Sequence, residues 1–217
     1  LAEGFRKDFV FTIGSPLKEV LQIYVKSIDE SDILNKLKIE AGKYIVASIH
    51  REENLDIKDN FKSIIKGINE VSLKYNLPII FSTHPRTRKK IDILNIKTES
   101  INFIKPLGFF DYVHLQSKAF VTLSDSGTVS EESGIMKFPA VIIRTSTERP
   151  EAIDFGSITI GNIDSNSIIN ATEIAIKTFN KQRLEIPNEY NAENVSTRII
   201  KVIQGYTSIV NREIWKK

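Results

Sequence analysis

The sequence has no cysteine, one methionine, one tryptophan and three histidines in 217 residues. Without cysteine there can be no disulfide framework and no thiolate metal site, which fits a reducing compartment, with the cytoplasm as the default. The histidines show no His-x-x-x-His spacing, so zinc is a poor reading and no metal is expected. No apolar run approaches the roughly 20 residues that cross a bilayer. The opening Leu1-Ala2-Glu3-Gly4-Phe5-Arg6-Lys7 is not a secretory signal, so a soluble protein with no membrane partner is expected. Charge of one sign is also missing: 30 basic and 27 acidic residues are intermixed for a net +3, without the basic stripe of a nucleic-acid binder. An initiating methionine is absent, which leads us to expect residues upstream of Leu1.

What is present is an ordinary globular balance, 41% hydrophobic and 26% charged, enough apolar side chain to offset the entropy of ordering one sizeable core. From Tyr44 onward, compact apolar runs alternate with longer amphipathic ones, the rhythm of parallel strands joined by covering helices. The expected strands are Tyr44–Ser48, Pro78–Ser82, Ile101–Ile104, Ala119–Leu123, Ala140–Ile143 and Ser157–Ile160. The expected helices are Lys58–Lys74, Thr87–Leu94, Phe109–Gln116, Thr128–Ile135 and Ser165–Asn180, with a last one over Val195–Val210. Ahead of them, Phe9–Ile13 reads as a connecting strand and Leu17–Ile28 as a helix after the turn Gly14-Ser15-Pro16. The fold class is α/β, a Rossmann-like parallel sheet with helices on both faces. Residues 1–15 read as a junction, 16–192 as a nucleotide-binding domain and 193–217 as a C-terminal helix and tail.

Open parallel sheets bind ligands beyond the carboxyl ends of their strands, and the unusual residues of this chain collect there. His50-Arg51-Glu52-Glu53-Asn54 follows the first central run, His84-Pro85-Arg86 the second, Asp125-Ser126-Gly127-Thr128 the fourth and Thr145–Glu151 the fifth. The turn at Ser126 and Gly127 leads into a helix whose free N–H groups and positive dipole end suit a phosphate. It also reads as a plain capped helix, with Asp125 or Ser126 as N-cap and Glu131 in the first turn. Glu132 lies one helical turn beyond Thr128, where a carboxylate can accept both hydroxyls of a ribose or else remain a solvated charge. Arg149, just before Pro150 and a short helix, can fork two phosphate oxygens or pair on the surface with Glu148 or Glu151. His50 and His84 each stand after a strand and beside an arginine or a proline-arginine pair, placed to donate to an anion or move a proton, or to be satisfied by backbone. Tyr112 can stack a base or pack in the core.

Taken in this order, His-Arg-Glu-Glu-Asn, His-Pro-Arg, Asp-Ser-Gly-Thr-Val-Ser-Glu-Glu and Thr-Glu-Arg-Pro-Glu resemble the C-terminal half of the non-hydrolysing UDP-N-acetylglucosamine 2-epimerases. The resemblance runs from Phe9 to the C-terminus. It implies the C-terminal domain of a glycosyltransferase-B-like two-domain fold, with UDP on this domain, the sugar in the cleft between domains, and an N-terminal domain as partner. It implies that Ser126 and Gly127 bind phosphate, Glu132 the ribose and Arg149 the diphosphate. It places His50 beside the diphosphate as a catalytic residue. Tyr112 falls where many members carry phenylalanine near the uracil, flanked by Leu107. Arg51, Glu53 and His84 match a second, activating nucleotide site of some bacterial members.

The reaction so implied is isomerisation at C2 of a UDP-N-acetylhexosamine, without NAD or metal as cofactor, by elimination of UDP to a 2-acetamidoglycal and re-addition. The base belongs to the N-terminal domain, so this chain alone is expected to lack full activity, and a homodimer is expected at full length. The tail Asn194–Ile200, Tyr206 and Val210–Trp215 resembles the branch that makes UDP-N-acetyl-L-fucosamine for capsule or O-antigen synthesis. Two rivals stay open: a UDP-sugar glycosyltransferase on the same fold, and a non-catalytic nucleotide-binding module.

Overall fold

The computed structural model describes residues 3–146, 149–156, 158–181 and 185–217. The chain forms two compact units, Val25–Ile186 and the paired chain ends Leu1–Tyr24 with Pro187–Lys217.

The larger unit is built on six strands: β1 (Ile45–Ser48), β2 (Ile79–Ser82), β3 (Ile101–Ile104), β4 (Val121–Ser124), β5 (Ala140–Ile143) and β6 (Thr159–Gly161). Their order is β3-β2-β1-β4-β5-β6 and every pairing is parallel. The expected strands are found, Ile101–Ile104 and Ala140–Ile143 residue for residue and the others shifted by a residue or two; Ser157, the expected start of the last, lies outside the described residues. Its helices are α2 (Val25–Asp29), α3 (Ile33–Leu37), α4 (Glu52–Leu55), α5 (Lys58–Tyr75), α6 (Pro85–Ile93), α7 (Phe109–Ser117), α8 (Thr128–Met136), α9 (Pro150–Asp154) and α10 (Ser165–Lys181).

Alternation along β1 explains the layers. Ile45 and Ala47 join a core with Phe61, Ile64 and Ile68 of α5 and Ile168 and Ala171 of α10. Tyr44 and Val46 turn to the other face, against Leu115 of α7 and Ile33 of α3. A strand sends successive side chains to opposite faces, so a run that is apolar at every position needs cover on both. The helix Leu17–Ile28 predicted from the sequence is interrupted at Tyr24, giving α1 (Leu17–Ile23) in the smaller unit and α2 in the larger one.

The smaller unit contains a short 3-10 turn over Lys7–Phe9, α1 and the long helix α11 (Val195–Glu213). Here the sequence expectation of a strand over Phe9–Ile13 is not met: residues 10–13 join no ladder. Their apolar side chains pack on a helix instead. Phe11 sets its ring edge-on to Tyr206 of α11 at 4.5 Å and Phe9 does so at 6.3 Å, while Arg198 donates to the Ile13 carbonyl at 3.1 Å. Gly14 needs to be glycine: its φ is +90°, and a methyl group there would meet Ala192 Cβ at 2.4 Å.

Candidate functional site

The strand order reverses direction between β1 and β4, both leaving the sheet at the same edge, where the register pairs Ser48 with Ser124. A crevice outside such a switch point is the general ligand site of doubly wound sheets. Asp125, the first residue after β4, is fully buried there. Its carboxylate accepts from the backbone N–H of His50 at 3.0 and 3.1 Å, from that of Arg51 at 2.9 Å and from Asn54 Nδ2 at 3.0 Å. His50 Nδ1 lies 3.3 Å from Asp125 Oδ1. One carboxylate therefore ties the whole β1–α4 loop to the β4–α8 loop. The N-cap role considered for Asp125 or Ser126 is not what the structure has: Gly127 occupies the cap position of α8 and no side chain caps it. The first turn of α8, four residues after β4, is therefore left without a side-chain cap.

Ser126 and Thr128 place their hydroxyls 2.9 Å apart at this turn. A methyl group on Gly127 would meet nothing nearer than Arg149 Nε at 3.9 Å, so the arginine lies over the turn. Arg149 is anchored by Glu131, Nη2 to Oε1 2.7 Å, and reaches Glu151 at 3.7 Å. Of the two surface partners considered from sequence, Glu151 is found, Glu148 lies outside the described residues with Thr147, and the shorter contact is to the buried Glu131.

Glu132 is not the solvated charge of its plain reading but 9% exposed. Gln116 of α7 donates to its Oε2 at 2.9 Å. Burial, above all, and the neighbouring Glu131 push its carboxyl above the ordinary value, against the hydrogen bonds from Gln116 and Thr128. Tyr112, one turn before Gln116, hydrogen-bonds Ser48 through its hydroxyl; burial first and then the Glu132 charge raise that phenol well above its usual range. Tyr112 and Leu107 each pack against the core cluster that includes Tyr44, Val46 and Leu115. Glu132 and Tyr112 thus come together where α7 meets α8.

Of the other residues singled out from the sequence, Arg51 and Glu53 stand on the connection after β1 and His84 on that after β2. Arg51 Nε contacts Glu53 Oε1 at 2.6 Å, and the buried Arg144 lies 3.7 Å from the same oxygen. Burial works to raise the Glu53 carboxyl, but its own backbone N–H and the two guanidiniums outweigh it and hold it below the ordinary value. His84 caps α6, its Nδ1 accepting from the Arg86 N–H at 3.3 Å, with its ring 6.4 Å from that of His50. Arg86 itself pairs with Glu52 and Asp56. Among the described residues no group of three or more histidine and carboxylate side chains is set to hold a metal ion, and no helix is long and apolar enough to cross a membrane. The roles of Asp125 as the tie between loops, of Glu131 as the anchor of Arg149 and of Gln116 as the partner of Glu132 were not assigned from sequence. Each depends on elements that meet only in the folded chain.

Comparison with known proteins supplies what geometry leaves open. The family model described as UDP-N-acetylglucosamine 2-epimerase matches residues 1–204. The chain belongs to that family. A UDP-N-acetylglucosamine 2-epimerase of Methanocaldococcus jannaschii is 31% identical over 212 residues, which cover 94% of this chain and 57% of that protein. The chain thus spans a little over half the length of such 2-epimerase relatives. The structure of the Rickettsia bellii 2-epimerase superposes on all of this chain and 58% of its own, with TM-score 0.86 and 34% identity. A crystal structure of the Methanocaldococcus jannaschii enzyme in complex with UDP-GlcNAc and UDP gives TM-score 0.83 at 28% identity, over 94% of this chain and 57% of that one. A sucrose-phosphate synthase from Thermosynechococcus elongatus, at 15% identity and TM-score 0.54, shares the fold alone. The expected α/β class, on the C-terminal half of a glycosyltransferase-B-like family, is therefore what the 2-epimerase family and the sheet order together give.

Proposed function

We propose that this chain supplies the UDP-binding half of an enzyme that epimerises C2 of a UDP-N-acetylhexosamine. The observation that carries the reading is the placement of Arg149 over the Ser126-Gly127 turn at the N-terminus of α8, with Glu132 one turn further and His50 tied to the same edge by Asp125. A helix end and a guanidinium suit a diphosphate, and a buried carboxylate whose oxygens can take two hydroxyl donors suits a ribose. Tyr112 and Leu107 then flank the base.

In this reading a base outside this chain takes the C2 proton while the C1–O bond breaks, and the electron pair of that bond leaves on the UDP β-phosphate. The product is a 2-acetamidoglycal. Re-protonation at C2 from the other face and re-addition of UDP at C1 restore the glycosidic bond, so the reaction is neutral in protons and electrons. This chain's contribution is to hold and neutralise the departing diphosphate, through the α8 N–H groups, Arg149 and His50. Arg51 and Glu53, after β1, and His84, after β2, are the residues proposed to take an activating nucleotide. Relatives are found in archaea and bacteria alike, which supports the reaction class rather than a particular capsule or O-antigen product. The fucosamine branch and a homodimer at full length belong to the same proposal.

Two measurements test it. Calorimetry on this chain with UDP, with and without a chelator, is expected to show binding in both; a strict requirement for magnesium would overturn the proposed anion site. Incubation of a UDP-N-acetylhexosamine without acceptor, using the chain at the full length of its relatives, is expected to give the C2 epimer. Absolute dependence on an acceptor would instead point to a glycosyltransferase, and binding without turnover to a nucleotide-sensing module.

A further inference from the structure

His50 is the exposed end of a buried arrangement. Asp125 is fully buried, and its Oδ2 already takes three donors: the backbone N–H groups of His50 and Arg51 and the Asn54 side chain. Its other oxygen, Oδ1, lies 3.1 Å from the His50 N–H and 3.3 Å from His50 Nδ1. The side chain of His50 is 42% exposed, so one edge of the ring meets a buried carboxylate and the rest meets the crevice. The other ring facing it is His84, from the β2–α6 connection, 6.4 Å away between centroids.

We infer that Asp125 is the positioning residue of His50, holding the proton on Nδ1 and leaving Nε2 as the nitrogen offered to the crevice. A carboxylate is an acceptor only, so Asp125 Oδ1, 3.3 Å from Nδ1, favours the tautomer with hydrogen on that nitrogen. The second partner of a histidine fixes its tautomer and ring orientation. With Nδ1–H held by Asp125, a proton gained at Nε2 creates an imidazolium flanked by the buried carboxylate on one side and an arriving diphosphate on the other. This inference rests on the proposed reading only for what the crevice binds. The tautomer itself is a property of the chain alone.

The Asp125→Asn variant separates positioning from scaffolding. Its one amide oxygen can still serve the three donors now on Oδ2, and its NH2 then faces His50 Nδ1. That nitrogen must become an acceptor, so the proton moves to Nε2. With only three histidines in the chain, long-range 1H–15N correlation spectra of the labelled protein at alkaline pH read each neutral ring, His50 being assigned by its loss in His50→Ala. The expected result is the Nδ1–H tautomer in the unaltered chain and Nε2–H in Asp125→Asn. An Nε2–H tautomer in the unaltered chain overturns the inference, and this measurement needs no variant of Asp125 to fold. An unchanged tautomer in Asp125→Asn overturns it too.

In a protein carrying this chain at the full length of its relatives, Asp125→Asn is expected to lower kcat by about 10- to 100-fold with little change in KM. The same substitution on top of His50→Ala should then add almost nothing. Equal losses in both backgrounds would make Asp125 a scaffold residue and overturn the inference. If His50→Ala alone leaves turnover intact, the reading of His50 fails, while the tautomer result still decides the role of Asp125.

Discussion

Arg149 and Glu131 form an ion pair, Nη2 to Oε1 2.7 Å, in which the carboxylate is 4% exposed and the guanidinium lies over the turn at Gly127. The partners sit at the starts of two different helices, α9 and α8, so the pair holds Arg149 at the helix N-terminus proposed to hold the diphosphate. The arginine does not have to be recruited from solvent when an anion arrives, which reduces the ordering cost of binding.

From this pair follows the first prediction. Arg149→Ala removes a charge-assisted contact of about 1.5–3 kcal/mol and takes the guanidinium away from the phosphate site. UDP affinity measured by calorimetry should fall roughly 10- to 100-fold. Adding Glu131→Gln removes one negative charge next to the site of an anionic ligand and should recover part of the loss. If the double variant binds UDP more weakly than Arg149→Ala alone, Glu131 contributes to the site by some other route than holding the arginine.

Two glycines in helical settings are expected to respond oppositely. At Gly67 of α5 a methyl group would lie 2.7 Å from Ile168 Cδ1 and 3.0 Å from the Ser165 backbone, so Gly67→Ala must push α5 and α10 apart. Overpacking of that kind costs about 1–3 kcal/mol. At Gly127 the nearest atom is 3.9 Å away, so alanine fits the empty protein and its melting temperature should hardly change. Binding of pyrophosphate should nevertheless weaken in Gly127→Ala, because the methyl group then occupies the space between the turn and the guanidinium. Full retention of pyrophosphate binding would remove Gly127 from the anion site.

Glu132 yields a prediction in pH. Burial raises its folded-state carboxyl above the ordinary value of 4.5, so across the interval between the two values the folded state binds more protons than the unfolded one. The stability associated with the protonated form is fully present below about pH 4.5 and is lost as pH rises through the folded value. Glu132→Gln, which cannot ionise and can still accept from Gln116, should therefore melt higher than the unaltered chain at pH 8, with the difference shrinking towards pH 4. The same variant should lose UDP affinity while binding pyrophosphate nearly as before, since only UDP has a ribose. Equal losses for both ligands would mean that the substitution disturbs α8 as a whole.

The sheet was legible because each strand is a short run, apolar at nearly every position, between turn-forming or polar residues, a pattern that parallel strands covered on both faces require. The crevice was legible for a related reason: His50, Ser126, Gly127 and Arg149 all follow strands, and strand ends share an edge whatever the strand order. What escaped depends on tertiary pairing. The apolar stretch Phe9–Ile13 has the composition of a strand, yet its rings pack against Tyr206 of α11, nearly 200 residues on, and join no ladder. Asp125 stands at a helix start, where acceptors usually cap. Its carboxylate instead serves His50, Arg51 and Asn54, because the reversal of strand order brings β1 beside β4. Gln116 has no local feature marking it as the partner of Glu132; only the docking of α7 beside α8 brings them together.

The last prediction concerns His50. Its ring is partly exposed and lies 3.3 Å from the buried Asp125, and in the proposed reaction the negative charge on the diphosphate grows as the C1–O bond breaks. A donor there interacts more strongly with the transition state than with bound substrate, so its loss should appear in kcat rather than in affinity. Removing one such charge-stabilising contact costs about 2.7–4 kcal/mol, roughly a hundredfold to a thousandfold in rate. In His50→Ala, epimer formation by the full-length protein should fall by that order, while UDP affinity measured on this chain changes much less. A melting curve matching that of the unaltered chain establishes that the variant is folded. The contrary result, unchanged turnover with clearly weakened UDP binding, would assign His50 to ground-state recognition of the nucleotide and leave Arg149 with the α8 N-terminus as the groups that carry the departing charge.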